Sequence, residues 1–197
     1  MTEAANLTLR CQCGQLRGVL HDADSTEVCR VVCHCDDCQA FARSLARDDV
    51  LDAHGGTDIL QLSPARIRFT QGSEQIACRR LREGGLLRWY ARCCDSPIAN
   101  TPPAPKLPFT GLFASFVDVA SAARDDALRP VDYRIMTKFA APGPVTGTNS
   151  HETFPLRQIL RLVTLLLRWR LRGDQKRSPF FDAETWTPVV EPTVLGD

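Results

Sequence analysis

The sequence has almost no net charge: 24 lysines and arginines against 23 aspartates and glutamates leave +1. Without a basic surplus there is no global attraction for polyphosphate, so no nucleic-acid partner is expected. Aromatic residues are scarce at 7%, and no stretch carries a base-stacking signature. No run of 18 or more apolar residues occurs, which predicts no membrane span. The opening "MTEAANLTLRC" lacks a basic segment followed by an apolar one, so it does not read as a secretory signal. The expected compartment is therefore the reducing cytoplasm.

Cysteine is abundant, with 9 in 197 residues. In a reducing compartment these read as thiolates or metal ligands before disulfides, and an odd number weakens a pure disulfide account. The length suits one core with an appendage. Apolar content of 44% and charged content of 24% are ordinary for a globular chain.

The pattern predicts a mainly β fold over about residues 7–136. "LTLRCQCGQLRGVL" reads as two strands joined at a Cys-x-Cys-Gly knuckle. "DILQL", "ARIRFTQG", "LFASFVDVA" and "VDYRIM" read as further strands, and "EQIACRRLREGGLLRWYARCCDSPIANT" as a hairpin turning at Gly84-Gly85. Residues 137–197 read as a linker ("AAPGPVTGTNSHE"), an amphipathic helix at about 155–172 stopping at Gly173, and an extended proline-rich tail.

Cys11 and Cys13 form a pair, Cys33, Cys35 and Cys38 a triplet, and Cys93 and Cys94 are adjacent. Zinc prefers tetrahedral thiolate and imidazole sets: a structural site is closed by four protein ligands, and a catalytic one keeps a position open. The lone triplet suits the open kind. Cys29 reads as a buried packing residue. His34, between two triplet cysteines, can ligate, face solvent or support a ligand.

The runs Cys11-Gln12-Cys13-Gly14, Cys33-His34-Cys35-Asp36-Asp37-Cys38 and Cys94-Asp95-Ser96-Pro97-Ile98 occur in that order. With Pro130-Val131-Asp132-Tyr133-Arg134-Ile135 as a closing strand, the chain resembles the glutathione-dependent formaldehyde-activating enzyme and centromere protein V family. The resemblance implies several small coiled antiparallel sheets organised by zinc. It implies a structural zinc on Cys11, Cys13 and Cys94, and a second zinc with an exchangeable fourth position on Cys33, Cys35 and Cys38. It also implies a carbon–sulfur lyase type of chemistry, joining glutathione to formaldehyde.

The family's late motif is C-x-x-C-G-S-P, and Ala91 stands at its first cysteine. Cys93, water or another cysteine can repair the site. A two-residue turn at Gly84-Gly85 would set Cys78 opposite Ala91, which predicts Cys78 as the fourth ligand and Cys93 as its rival. Adjacent strand residues face opposite ways, so Cys93 would otherwise be a packed residue or a reactive thiol.

Three thiolates leave zinc a modest Lewis acid that favours a substrate thiol and lowers its pKa. Arg43, Arg47, Arg66 and Arg68 are available for a substrate's carboxylates. "AHGGTDILQLSP" reads as a loop able to line the site, with His54 as a candidate acid or base and Asp58 nearby. The basic helix can pack on the domain, form a homodimer or lie on an anionic membrane. The competing function is a non-catalytic, zinc-stabilised protein-binding module.

Overall fold

The fold is described from a computed structural model, covering residues 6–120, 123–141, 143, 145 and 149–195. The start of the opening stretch and Pro142, Pro144 and residues 146–148 of the expected linker lie outside these residues. The fold is mainly β. Its strands are β1 (Leu7–Arg10), β2 (Arg17–Leu20), β3 (Cys29–Cys33), β4 (Thr57–Leu62), β5 (Ile67–Gln71) and β6 (Ile76–Arg80). β7 (Leu87–Ala91), β8 (Ser96–Thr101), β9 (Thr110–Phe113), β10 (Tyr133–Ile135) and β11 (Thr193–Val194) follow. The helices are α1 (Asp36–Ser44), α2 (Arg124–Ala127) and α3 (Leu156–Leu171).

The strands form two sheets: a three-stranded β1-β2-β5 and an eight-stranded β10-β3-β4-β9-β8-β7-β6-β11. The large sheet is antiparallel through its middle and closed by a parallel strand at each end, β10 on β3 and β11 on β6. Local alternation predicts strands and hairpins, but these parallel pairs join residues about a hundred positions apart.

β3, "CRVVC", is buried throughout, as a strand paired on both edges and covered on both faces must be. Its alternation sends Cys29, Val31 and Cys33 to one cluster with Ile59 and Ile135. Arg30 and Val32 go to the other face. Arg30 is tolerated there because Asp58, on neighbouring β4, takes its guanidinium at 2.7 and 3.0 Å.

The main core centres on Trp89, whose indole N–H donates to Thr101 Oγ1 at 2.9 Å. Phe180 stacks on Trp89 with ring centroids 5.0 Å apart, and Phe181 meets it edge-on. The tail is therefore core material as well as extended chain. The expected strand "LFASFVDVA" is shorter: β9 stops at Phe113 and a 3-10 turn covers Ala114–Phe116.

The β6–β7 hairpin sets a correction. Its tight turn runs from Arg82 to Gly85, where Gly85 N–H donates to Arg82 O at 3.1 Å, so Glu83 and Gly84 are central. Moving the turn by one residue moves every partner by two. Cys78 pairs with Trp89, and Ile76 is the residue opposite Ala91. Cys78 keeps its face but sits about 7 Å along the strand from the expected place.

Candidate metal centres

The first centre is built by a knuckle and a turn. Between β1 and β2 the chain reverses through Cys11-Gln12-Cys13-Gly14, with Gly14 at φ +80° and its N–H donating to Cys11 O at 2.9 Å. The N–H of Leu16 donates to Cys11 Sγ at 3.3 Å, a bond that favours a thiolate. After β7 the chain turns through Cys93 and Cys94, with Asp95 at φ +51°. The four sulfurs of Cys11, Cys13, Cys93 and Cys94 lie within 4.8 Å of one another.

A tetrahedral metal with sulfur bonds of about 2.3 Å sets its sulfurs roughly 3.8 Å apart. The sulfur–sulfur distances are 3.6 Å for Cys11–Cys13, 3.8 Å for Cys11–Cys93, 3.3 Å for Cys13–Cys93 and 3.8 Å for Cys93–Cys94. These fit a shared ion and are far too long for disulfides. The structure thus brings Cys93, the rival, to the group in place of Cys78. Cys78 lies in the main core, where burial pushes its thiol up to about 12. The alternate-face reading of Cys93 and Cys94 does not apply, because β7 ends at Ala91 and both cysteines belong to a turn.

Ser96 ties this centre together. Its Oγ accepts from Gln12 N–H at 2.9 Å and from Arg47 Nη1 at 3.1 Å, and lies 3.2 Å from Cys94 Sγ. Burial raises the Cys94 thiol, but hydrogen bonds from Ser96 and Cys13 outweigh it and hold it at about 6. Burial leads the causes that raise Cys11 and Cys93. Cys94 is thus more ready than Cys11 or Cys93 to be a thiolate.

The second group is Cys33, Cys35 and Cys38, again with sulfurs within 4.8 Å. Cys33 ends β3, Cys35 caps α1 and Cys38 lies in its first turn. After Cys35 the chain enters a helix, signalled by Asp36 and Asp37 in the first turn and Arg43 in the last. Thiolate charge beside a helix N-terminus is favoured by the same dipole.

Arg88, on β7, is 1% exposed and reaches this group: its Nη1 lies 3.6 Å from Cys38 Sγ and its Nη2 3.7 Å from Asp37. Hydrogen bonds from Cys33 and Cys35 push the Cys38 thiol down, burial opposes them, and the Arg88 charge adds to the lowering. Cys33 and Cys35 are pushed up, Cys33 chiefly by its bonds with Cys35 and Cys38. Sequence reading missed Arg88. The available signal was an arginine alternating with Leu87, Trp89 and Ala91 in a strand buried on both faces.

His34 is fully buried, with Nδ1 3.3 Å from Ile135 O and Nε2 3.6 Å from Asp52. Its ring is not among the atoms grouped with the three sulfurs. Gln39 donates to the His34 carbonyl at 2.8 Å, fixing the chain between the ligands. A side chain at Gly56 would meet the Val32 side chain and His34 Nε2 at under 3 Å, so the Gly-Gly turn packs against the His34 ring beside the triplet. Asp58 faces away from Cys33, onto Arg30. His54 is not part of the sulfur group either. Arg43, Arg47 and Arg66 are engaged with Asp48, Asp49 and the Asp22–Glu27 pair. Arg68 is exposed on β5.

The family model for DUF6151 matches residues 3–191. The chain belongs to this family of unknown function. No curated protein matches the sequence. Among solved structures, a crystal structure of a Rhodobacter sphaeroides protein is similar at a TM-score of 0.40 and 13% identity, over 59% of this chain and 93% of the other.

Proposed function

We propose that this chain is a zinc protein with one closed centre and one open one, and that the open centre joins a thiol to a small carbonyl. The observation that carries the reading is the contrast between the groups: four sulfurs gather in one and three in the other. Four thiolates complete a tetrahedron, and three leave a position for a substrate. Cys35, the least buried of the three, marks the approach from solvent. The order of the sequence motifs, which resembles that of the formaldehyde-activating family, suggests glutathione and formaldehyde as the pair. Asp95 in a left-handed turn conformation, at the family's glycine, is consistent with a retained late motif.

Zinc held there would lower the pKa of a bound thiol and present it as a nucleophile. In the reaction the thiol sulfur adds to the carbonyl carbon, the C=O π pair moves to oxygen, and the thiol proton ends on that oxygen. This chain's residues prepare the place. With a divalent ion the three thiolates would carry one net negative charge, which Arg88, shared between Cys38 and Asp37, would partly offset. Gln39 holds the His34 carbonyl between Cys33 and Cys35, and the Gly55-Gly56 turn packs against the Gln39 and His34 side chains.

Cobalt-substituted protein tests this reading. Glutathione should shift the visible spectrum, and formaldehyde should then yield S-hydroxymethylglutathione faster than in buffer. Arg88→Met should weaken metal holding by the triplet about tenfold to a hundredfold, the usual loss when a ligand's supporting contact is removed. A spectrum indifferent to thiols would favour the scaffold reading, a zinc-stabilised module that binds a partner.

A further inference from the structure

The helix α3 is docked with its polar anchors inward and its leucines outward. At 100° per residue, Gln158, Leu165 and Trp169 share one face, and these are its buried residues. Gln158 Nε2 donates to Gln61 Oε1 at 2.8 Å, and the Trp169 indole N–H donates to Glu27 at 3.0 Å. Arg161 donates to Thr26 O at 2.9 Å and Arg172 to Glu27 at 2.7 Å. These bonds fix the helix's rotation.

The opposite face holds Leu156, Leu160, Val163, Leu167 and Leu171, within an arc of about 80°. They are 70%, 59%, 47%, 60% and 88% exposed. Scattered exposed leucines need no explanation, but a continuous stripe two turns or more long marks an interaction surface. The charges beside it have one sign. Arg157 and Arg168 flank one edge, Arg170 lies at the other with its guanidinium donating to the Lys106 carbonyl, and α3 contains no acidic residue. The acids that pair with the helix, Glu27, Asp132 and Asp174, lie on the inward side against Arg161 and Arg172.

We infer that this face docks on the surface of an anionic lipid bilayer, the leucines entering the acyl boundary and the flanking arginines meeting headgroup phosphates. An apolar stripe edged by arginine is what an interfacial helix presents. A second copy of the chain suits the leucines and not the edges, since pairing two such faces sets arginine beside arginine with no acid to answer it. The near-neutral whole chain makes the basic edge a local feature, so attraction would orient this face toward the membrane.

Co-sedimentation of the full, metal-loaded chain with vesicles tests this. Vesicles of phosphatidylcholine with phosphatidylglycerol should carry the protein down, and phosphatidylcholine alone should not. Binding should fall at least about tenfold between roughly 0.1 M and roughly 1 M salt. Leu160→Glu with Leu167→Glu, and separately Arg157→Glu with Arg168→Glu, should each abolish sedimentation while leaving the thermal transition in place, because these side chains are exposed. No binding to anionic vesicles, or equal binding to neutral ones, would overturn the inference. So would a stable dimer that the leucine pair of substitutions breaks, which would assign the face to a second copy.

Discussion

Cys93 and Cys78 are the pair of residues on which the local account turns. Both are cysteines of the same hairpin region, yet only Cys93 has its sulfur beside Cys11 and Cys13. Cys93→Ser should lower the metal content of the first centre and destabilise the fold by on the order of 3 kcal/mol, a fraction of the roughly 10–16 kcal/mol that a structural zinc contributes. Cys78→Ala should keep the full metal complement and cost about 1–2 kcal/mol of packing. Metal content by mass and thermal melting separate the two. The sequence made the triplet and the Cys11–Cys13 pair legible, because ligands two and three residues apart are constrained by the chain itself. It could not choose between Cys78 and Cys93. That choice depends on whether the hairpin turn centres on Gly84-Gly85 or on Glu83-Gly84, a difference of one residue that both glycine-containing turns allow. Arg88 was hidden for a related reason: a buried arginine reveals itself only through the thiolate and carboxylate that other elements bring to it.

At the scale of elements, α3 is legible as a helix and its stop at Gly173, with φ +76°, is where composition placed it. Which face it buries was not legible. Hydrophobic count favours the leucine stripe, and the structure buries the side with glutamine, because Gln158 and Arg161 find acceptors on β4 and the Thr26–Val28 segment. Glu27 is the acid that anchors the far end. Burial works to raise its carboxyl, and the bonds from Arg172, Trp169 and Arg66 outweigh that and hold it below the ordinary 4.5. A carboxyl lowered on folding contributes stability that is complete above its unfolded pKa and is lost as pH falls through the folded one. Glu27→Gln should therefore cost about 1–3 kcal/mol near neutral pH. Its melting temperature should fall less steeply than that of the natural chain as pH drops below about 4.5, the ordinary glutamate value. Equal acid slopes in the two proteins would remove Glu27 from the anchor.

For the molecule as a whole, the mainly β class and most strand positions could be read from alternation. The eight-stranded order could not. Its parallel ends, β10 on β3 and β11 on β6, and the seating of Phe180 against Trp89 are long-range contacts with no local signature. The first cysteine group depends on the same long-range order, since it joins the β1–β2 turn to the turn after β7, whereas the second lies within one short segment, which Arg88 reaches from β7. The central claim is that both groups hold metal, one closed and one open. Native mass spectrometry of protein purified without chelator measures this most directly, with and without added glutathione. Two zinc ions per chain are expected, one of them lost when Cys33, Cys35 and Cys38 are replaced by serine, and a glutathione adduct only when that ion is present. A single ion that survives the triple replacement, with no glutathione bound, would contradict it.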